Sequence, residues 1–338
     1  MSSLKAGFAE IKITPPLGIE LGGFSTKRHA EAIHDDLFAT ACVIGDGEKT
    51  IAICSLDALK IERKMTARVR EQLVADGIPV ERILLAATHT HSGPKFSSDE
   101  ELNREWLDAL PDRLAEAIRG ARQKMQPACI SILTTEVAAI GGNRRDTERG
   151  PVDRILNAIR ISEPGADRLL GLLVNHACHA TTLGAENREV TADWPGQLRR
   201  ALRERHGDDL PVALLNGACG DVNPGGYSAE DSALGKIIPN RTFERCTEIG
   251  DTLAAALDNA PVSTEPKCDL PLAAVTQTIE LPIVELPPVE ELQQEVERLQ
   301  GLVGELEAKD GPEEALDRAR LDLMYAQGRL GRAKRYAE

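Results

Sequence analysis

Two histidines two residues apart, His89 and His91, close the apolar run 83–87 and stand just ahead of Ser92-Gly93-Pro94. In an extended chain residues i and i+2 leave the same face, so both imidazoles are offered to one side. The design recurs three times. His176 and His179 follow the apolar run 169–174, and Asp57 ends the run 51–56. Asp221 and Asn223 follow the run 212–215, in a glycine-rich turn that reaches Gly226. Neutral imidazole is a good ligand for zinc, and a catalytic zinc usually takes three protein ligands and keeps one position for water. Water bound there loses several pKa units, to about 7 in favourable sites, and becomes a hydroxide nucleophile. One His-x-His is as readily a pair of surface side chains opening a turn. His176 and His179 can equally be a satisfied polar turn, and Asp57 an N-cap. Four such strand ends favour one metal pocket, with at least one histidine of each pair as a ligand.

The elements that position these residues are short. Each apolar run is too brief for a self-standing helix and rich enough in Ile, Leu and Val for a central strand. Ligands in open α/β sheets gather at the carboxyl ends of strands, which is where the histidines fall. Upstream, 6–14 alternates as a strand until Pro15-Pro16 stops it, and the long loop 17–34 is expected to line the pocket mouth. His34-Asp35-Asp36 leads into strand 37–44, joined by Gly45-Asp46-Gly47 to the strand of Asp57. Helices are expected over 61–75, 101–125, 194–205 and 247–256, the third opened by Asp193 and Pro195. Strands are expected over 129–139 and 156–162 and as a pair around 272–281. Arg144, in Gly141-Gly142-Asn143-Arg144-Arg145, suits a clamp on an oxyanion or carbonyl, although most loop arginines are merely solvated.

At Pro287-Pro288 the pattern changes. Val289, Leu292, Val296, Leu299, Val303 and Leu306 alternate by three and four, and after Asp310-Gly311-Pro312 the rhythm resumes from Leu316 to Ala337. This predicts an antiparallel helical hairpin over 285–338, set off from a hydrolase domain over 1–284. No Gly cap or Pro stop closes the second helix, so the expectation is that Glu338 is not a natural end and that the hairpin is an insertion before a missing C-terminal segment.

With 338 residues, 42% of them hydrophobic, the chain can bury a sizeable core. A net charge of -14 argues against a nucleic-acid partner, whose phosphates need a basic surface. Residues 1–16 hold no continuous apolar stretch of the secretory kind, and no 18-residue apolar run suggests a membrane span. Seven scattered cysteines with no Cys-x-x-Cys pair read as small packing residues in a reducing cytoplasm.

Several strings together resemble the neutral/alkaline (non-lysosomal) ceramidase family, in its N-terminal catalytic region. They are Ala6-Gly7 with Ile13-Thr14-Pro15, Ala87-Thr88-His89-Thr90-His91-Ser92-Gly93-Pro94, Asn143-Arg144, His179-Ala180-Thr181-Thr182 and Gly220-Asp221-Val222-Asn223-Pro224. The likeness spans most of residues 6–226, and its Thr-His-Thr-His-Ser-Gly-Pro string is the specific one. It implies an α/β fold of layered mixed β-sheets with outer helices, and zinc-dependent hydrolysis of the amide of ceramide to sphingosine and a fatty acid. It further implies Zn2+ held by His89 and His179, His91 assisting at the reacting carbonyl, and Arg144 binding the oxyanion or product carboxylate.

Three departures accompany it. Asn223 stands where the family carries a serine, which argues for a zinc-activated water, with Asn223 as a hydrogen-bonding group. The family's later glutamate and tyrosine ligands have no matching string here, so His34, His176, Asp57 or Asp221 is expected to complete the site if the chain does not continue. The long lipid-binding insertions and C-terminal sandwich domain are not evident. The expected substrate is therefore a small-molecule N-acyl compound or a lipid. The alternatives are a metal-dependent phosphoesterase, and a non-catalytic metal-binding or assembly module that docks partners through its hairpin.

Overall fold

Strands β1 (Lys5–Lys12), β2 (Phe38–Gly45), β3 (Thr50–Leu56) and β4 (Ile83–Ala87) form a sheet in the order β4-β3-β2-β1, extended past β1 by Gln126–Pro127. A second sheet runs β8-β7-β6-β5-β9, from β5 (Cys129–Glu136), β6 (Ile155–Ser162), β7 (Leu169–His176), β8 (Val212–Asn216) and β9 (Val262–Lys267). The computed structural model describes residues 3–337 other than Asp167, Gly226, Gly235, Ile237, Ile283 and Asp310. Gly226 of the glycine-rich turn, Asp310 of the interhelical turn and the terminal Glu338 lie outside the described residues.

Side chains of alternate parity go to opposite faces of a strand. On β2, Ala39, Ala41 and Val43 pack with Val69 and Leu73 of α1 (Arg63–Ala75) and Leu114 and Ile118 of α2 (Glu101–Gln123). Cys42 and Ile44 of the same strand join Phe8, Ile161, Leu173 and Ala213, drawn from both sheets. The far face of the second sheet meets α3 (Trp194–His206) and α5 (Phe243–Asp258), through Leu198, Leu202, Ile249 and Leu253. The order is helix, sheet, sheet, helix: the layered α/β fold with mixed sheets and outer helices. Each fully buried aliphatic side chain contributes about 1.5–3 kcal/mol to that stack.

Each sheet holds one parallel pair among antiparallel neighbours. β3 lies parallel to β4, with Leu56 beside Ala87, and β7 parallel to β8, with His176 beside Asn216. A parallel pair needs a long crossover, and α1 and α3 supply the two. These four strands are the ones whose ends carry the chemistry. They meet across the layers: Ser55 Oγ donates to the Leu214 carbonyl, and Asn216 Nδ2 donates to the Thr88 carbonyl at 3.1 Å.

Two local readings are corrected. The expected strand pair around 272–281 does not form, and Val275, Ile279 and Leu281 are exposed without a ladder partner. Alternation gives a strand one apolar face but cannot provide the edge it must pair with. The edge of β5 is taken instead by β9, a polar, exposed segment that hydrophobic periodicity cannot reveal. Cys129 and Cys268, read as packing thiols, are disulfide-bonded, and Leu4 N donates to the Cys268 carbonyl beside that link. Cys42, Cys54, Cys178 and Cys246 are buried free thiols.

The chain divides into two compact units, 1–227 with 237–276, and 228–236 with 277–338. The second contains the short α4 (Ala229–Ala233) and the antiparallel hairpin of α6 (Val289–Ala308) and α7 (Glu313–Ala337), each longer helix spanning roughly 30–40 Å at about 1.5 Å per residue. Leu292, Val296 and Leu299 of α6 pack on Ala326, Leu330 and Ala333 of α7, so the heptad seam is the buried one. Among the described residues no helix is long and apolar enough to cross a membrane.

Candidate metal centre

His89 lies two residues past β4, with its backbone at φ 67, a left-handed conformation that side-chain-bearing residues rarely adopt. Its N–H donates to the Ala58 carbonyl and its Nδ1 donates to the Leu59 carbonyl, both in the turn that follows β3. His179 lies three residues past β7. Its N–H donates to the Val222 carbonyl and its Nδ1 to the Cys219 carbonyl at 2.6 Å, in the turn after β8. Each ring is therefore fixed by the neighbouring parallel strand's loop.

A carbonyl oxygen only accepts, so Nδ1 carries the proton on both rings and Nε2 presents a lone pair. The two Nε2 atoms stand 3.1 Å apart, and His91 Nε2 is 3.5 Å from that of His89. Lone pairs so placed repel unless a cation lies among them. Two ligands about 2.0–2.1 Å from a tetrahedral zinc are about 3.4 Å apart, which matches these separations. The ligand atoms of His89, His91 and His179 all fall within 4.8 Å of one another. His89 and His179, both braced at Nδ1 by carbonyls, fit zinc in donor type and spacing, and His91 Nε2 stands beside them. Burial pushes His91 well below the ordinary imidazole range, aided by His89 and His179. Burial, then the neighbouring His89 and Arg144, brings His179 down to about 4. Both rings are neutral at pH 7, the form a metal needs.

Supporting groups surround the cluster. His91 N–H donates to the Ala180 carbonyl, joining the two histidine loops. Arg28, fully buried, donates through Nη2 to the carbonyls of Gly22 at 2.6 Å and His91 at 2.8 Å; burial lowers its pKa to about 10. Gly23 has φ +93, and a Cβ there would sit 2.4 Å from His91 Cγ, so only glycine allows the loop to approach the ring. Asp193, at φ 62 and ψ −151, accepts from the backbone N–H groups of Thr182, Leu183 and Trp194. Trp194 Nε1 in turn donates to the His179 carbonyl at 3.0 Å.

Arg144 is held by its own N–H on the Asp221 carbonyl, and its Nε and Nη2 donate to the Gly220 carbonyl at 3.1 and 2.8 Å. An open cavity of about 580 Å³ is lined by His89, His179, Arg144 and Asp221 together. Asn223 lies beneath this surface. It is buried, donates Nδ2 to the Tyr227 carbonyl and accepts from Gly225 N–H, and its ladder with Gly142 holds the turn that carries Arg144. The other three residues considered for the site have contacts of their own. His176 is fully buried, its Nδ1 3.3 Å from the Ile155 carbonyl. His34 stacks on Phe243 at 3.8 Å between centroids, and Asp57 accepts from Phe38 N–H and from Arg199 at 2.8 Å. Gly23, Arg28 and Asp193 went unread as site residues. Gly23 and Arg28 were covered only by the reading of loop 17–34 as the pocket mouth and Asp193 only by that of a helix start, because the carbonyls and rings these residues meet are distant in sequence.

A family model described as neutral/alkaline non-lysosomal ceramidase, N-terminal, matches residues 5–225. A neutral ceramidase of Drosophila pseudoobscura pseudoobscura is 25% identical over 256 residues, 66% of this chain and 36% of that protein. The neutral ceramidase of Drosophila melanogaster is 24% identical over 287 residues, 75% of this chain and 41% of that protein. The chain thus spans less than half the length of either relative. Among solved structures, a neutral ceramidase from Pseudomonas aeruginosa superposes with a TM-score of 0.66 at 20% identity, over 77% of this chain and 45% of that one. A ceramidase complexed with C2 gives 0.65 at 20% identity, over 77% and 44%. At these identities the structural likeness speaks for the fold.

Proposed function

This chain belongs to the neutral/alkaline non-lysosomal ceramidase family, and from that membership we propose that it is a zinc-dependent amidohydrolase acting on an N-acyl amide. The observation that carries the reading is the pair of Nε2 lone pairs facing each other at 3.1 Å, with His91 beside them. Water adds to the acyl carbon and the C–N bond breaks, giving a carboxylic acid and an amine. When bound, zinc supplies Lewis-acid polarisation and an acidified water. His89 and His179 would hold it. His91, half-buried and neutral, accepts a proton at Nε2 and returns one to the leaving nitrogen. Arg144 places its guanidinium at the cavity wall, where it stabilises negative charge on the carbonyl oxygen.

A side-chain nucleophile is not favoured: burial raises the Cys219 thiol, and both ends of the Asn223 amide are engaged in the turn. A two-metal phosphoesterase is not favoured either, since among the described residues no carboxylate joins the histidine group. The test is elemental analysis with an amide-hydrolysis assay. His89→Ala and His179→Ala should each lose most of the zinc found in the parent chain and at least a hundredfold in kcat/KM while remaining folded. Unchanged zinc content in both variants would remove the assignment.

A further inference from the structure

We propose that Phe24 is a positioning residue: its ring, in place of a hydrogen bond, fixes where the His91 imidazole stands. This rests on the amidohydrolase reading, in which His91 carries a proton to the leaving nitrogen.

The three imidazoles of the centre are held in two different ways. His89 and His179 each donate from Nδ1 to a backbone carbonyl, which fixes the tilt and the tautomer of the ring. His91 has no such brace. Its Nε2 faces that of His89, while its Nδ1 is shut off from solvent, and among the described residues no group forms a hydrogen bond with that atom. The backbone of His91 is tied, its N–H to the Ala180 carbonyl and its own carbonyl to Arg28, but neither tie reaches the ring. Apart from the other two imidazoles, the aromatic ring that meets it is Phe24, edge-on, with centroids 5.1 Å apart and planes at 69°. Aromatic pairs favour that arrangement, because the positive edge of one ring meets the negative face of the other.

Phe24 is itself pinned. The guanidinium carbon of Arg28 lies 4.8 Å from its ring centroid, and that of Arg241 lies 5.2 Å away. Both arginines are buried, which strengthens their attraction to the ring. Each is anchored to a histidine loop, Arg28 on the carbonyl of His91 and Arg241 on those of Thr181 and Leu183. Arg241 also lies 4.3 Å from the centroid of Tyr227, whose hydroxyl donates to the Thr181 carbonyl. A column of rings and guanidiniums thus runs from His91 to the loop of His179. Phe24 is its contact with the ring that handles the proton. A displacement of about 1 Å in such a group can cost on the order of a hundredfold in rate.

The test uses the zinc-loaded full chain, with N-hexanoylsphingosine in mixed micelles as substrate and isotope-labelled histidine for ring resonances. Phe24→Leu keeps an apolar side chain and loses the aromatic edge, whereas Phe24→Tyr keeps both. In Phe24→Leu, kcat should fall roughly 10- to 100-fold, with KM, zinc content and melting temperature close to those of the parent. The His91 ring resonance, assigned through His91→Gln, should broaden or split as the ring takes up more than one orientation. Phe24→Tyr should restore both the rate, to within about threefold, and the single resonance. An unchanged kcat or a single sharp His91 resonance in Phe24→Leu overturns the proposal. So does a loss shared equally by the two variants, or one that tracks loss of zinc. A broadened resonance in Phe24→Leu, with no amide hydrolysed by the parent chain, supports the placement of His91 by Phe24 and overturns the amidohydrolase reading instead.

Discussion

Asp193 combines a backbone conformation that belongs almost wholly to glycine with a carboxylate that satisfies three buried N–H groups. Asp193→Ala should keep the strain and orphan the donors, costing about 3 kcal/mol or more in urea unfolding. Asp193→Asn, which retains an acceptor, should cost clearly less. If both cost the same, the carboxylate is not the organiser of this turn. Gly23 is the sharper probe of the site itself. Gly23→Val must displace the His91 ring, so hydrolysis should drop at least tenfold while the melting temperature moves only a few degrees. At this scale the sequence was legible where chemistry sits at a strand end: His89, His91 and His179 converge, although His89 does so through a left-handed backbone and not the extended chain that the His-x-His spacing assumed. Asn223 shows the limit. Its place in a Gly-Asp-Val-Asn-Pro string was visible, but its use as the brace of a turn depends on Tyr227 and Gly225 closing around it.

The four strands that end in chemistry proved to be two parallel pairs, a relation that follows from their apolar runs and intervening helices. β9 was illegible because an edge strand is held by its backbone ladder and needs no apolar face. The segment after it is fixed by two remote ties. One is the Cys129–Cys268 disulfide, and the other is Asp46, which accepts from the N–H groups of Leu272, Lys49 and Glu48. Cys129→Ser should remove about 2–4 kcal/mol of stability and speed hydrogen exchange across 262–272, leaving the histidine loops protected as before. Faster exchange at 176–181 instead would show that the tie reaches the site.

Across the whole molecule, two buried histidines, His176 and His179, and the half-buried His91 stay neutral in the fold. His91, His176 and His179 all have folded-state pKa values below the ordinary 6.5, chiefly through burial, with His179 near 4. As the pH falls below about 6.5, the unfolded chain takes up protons first. The stability these residues allow is therefore complete above that pH and is lost progressively toward 4. In chelator, the melting temperature should decline steadily from pH 7 to pH 4.5, and a flat profile would show that the rings are not held neutral. Individual strands and helices were legible from periodicity and the layered order from the family resemblance, whereas the contact between the sheets was not, because Ser55 and Leu214 reveal their meeting only once folded. That meeting has a further consequence. His89 hangs from one sheet and His179 from the other, so an ion held by both is a clasp across the seam. Parting the layers would require the clasp to open first. The lifetime of the loaded fold would then be set by how often the ion leaves, and chelator would act as a solvent for the seam, shortening that lifetime before it altered anything seen at equilibrium.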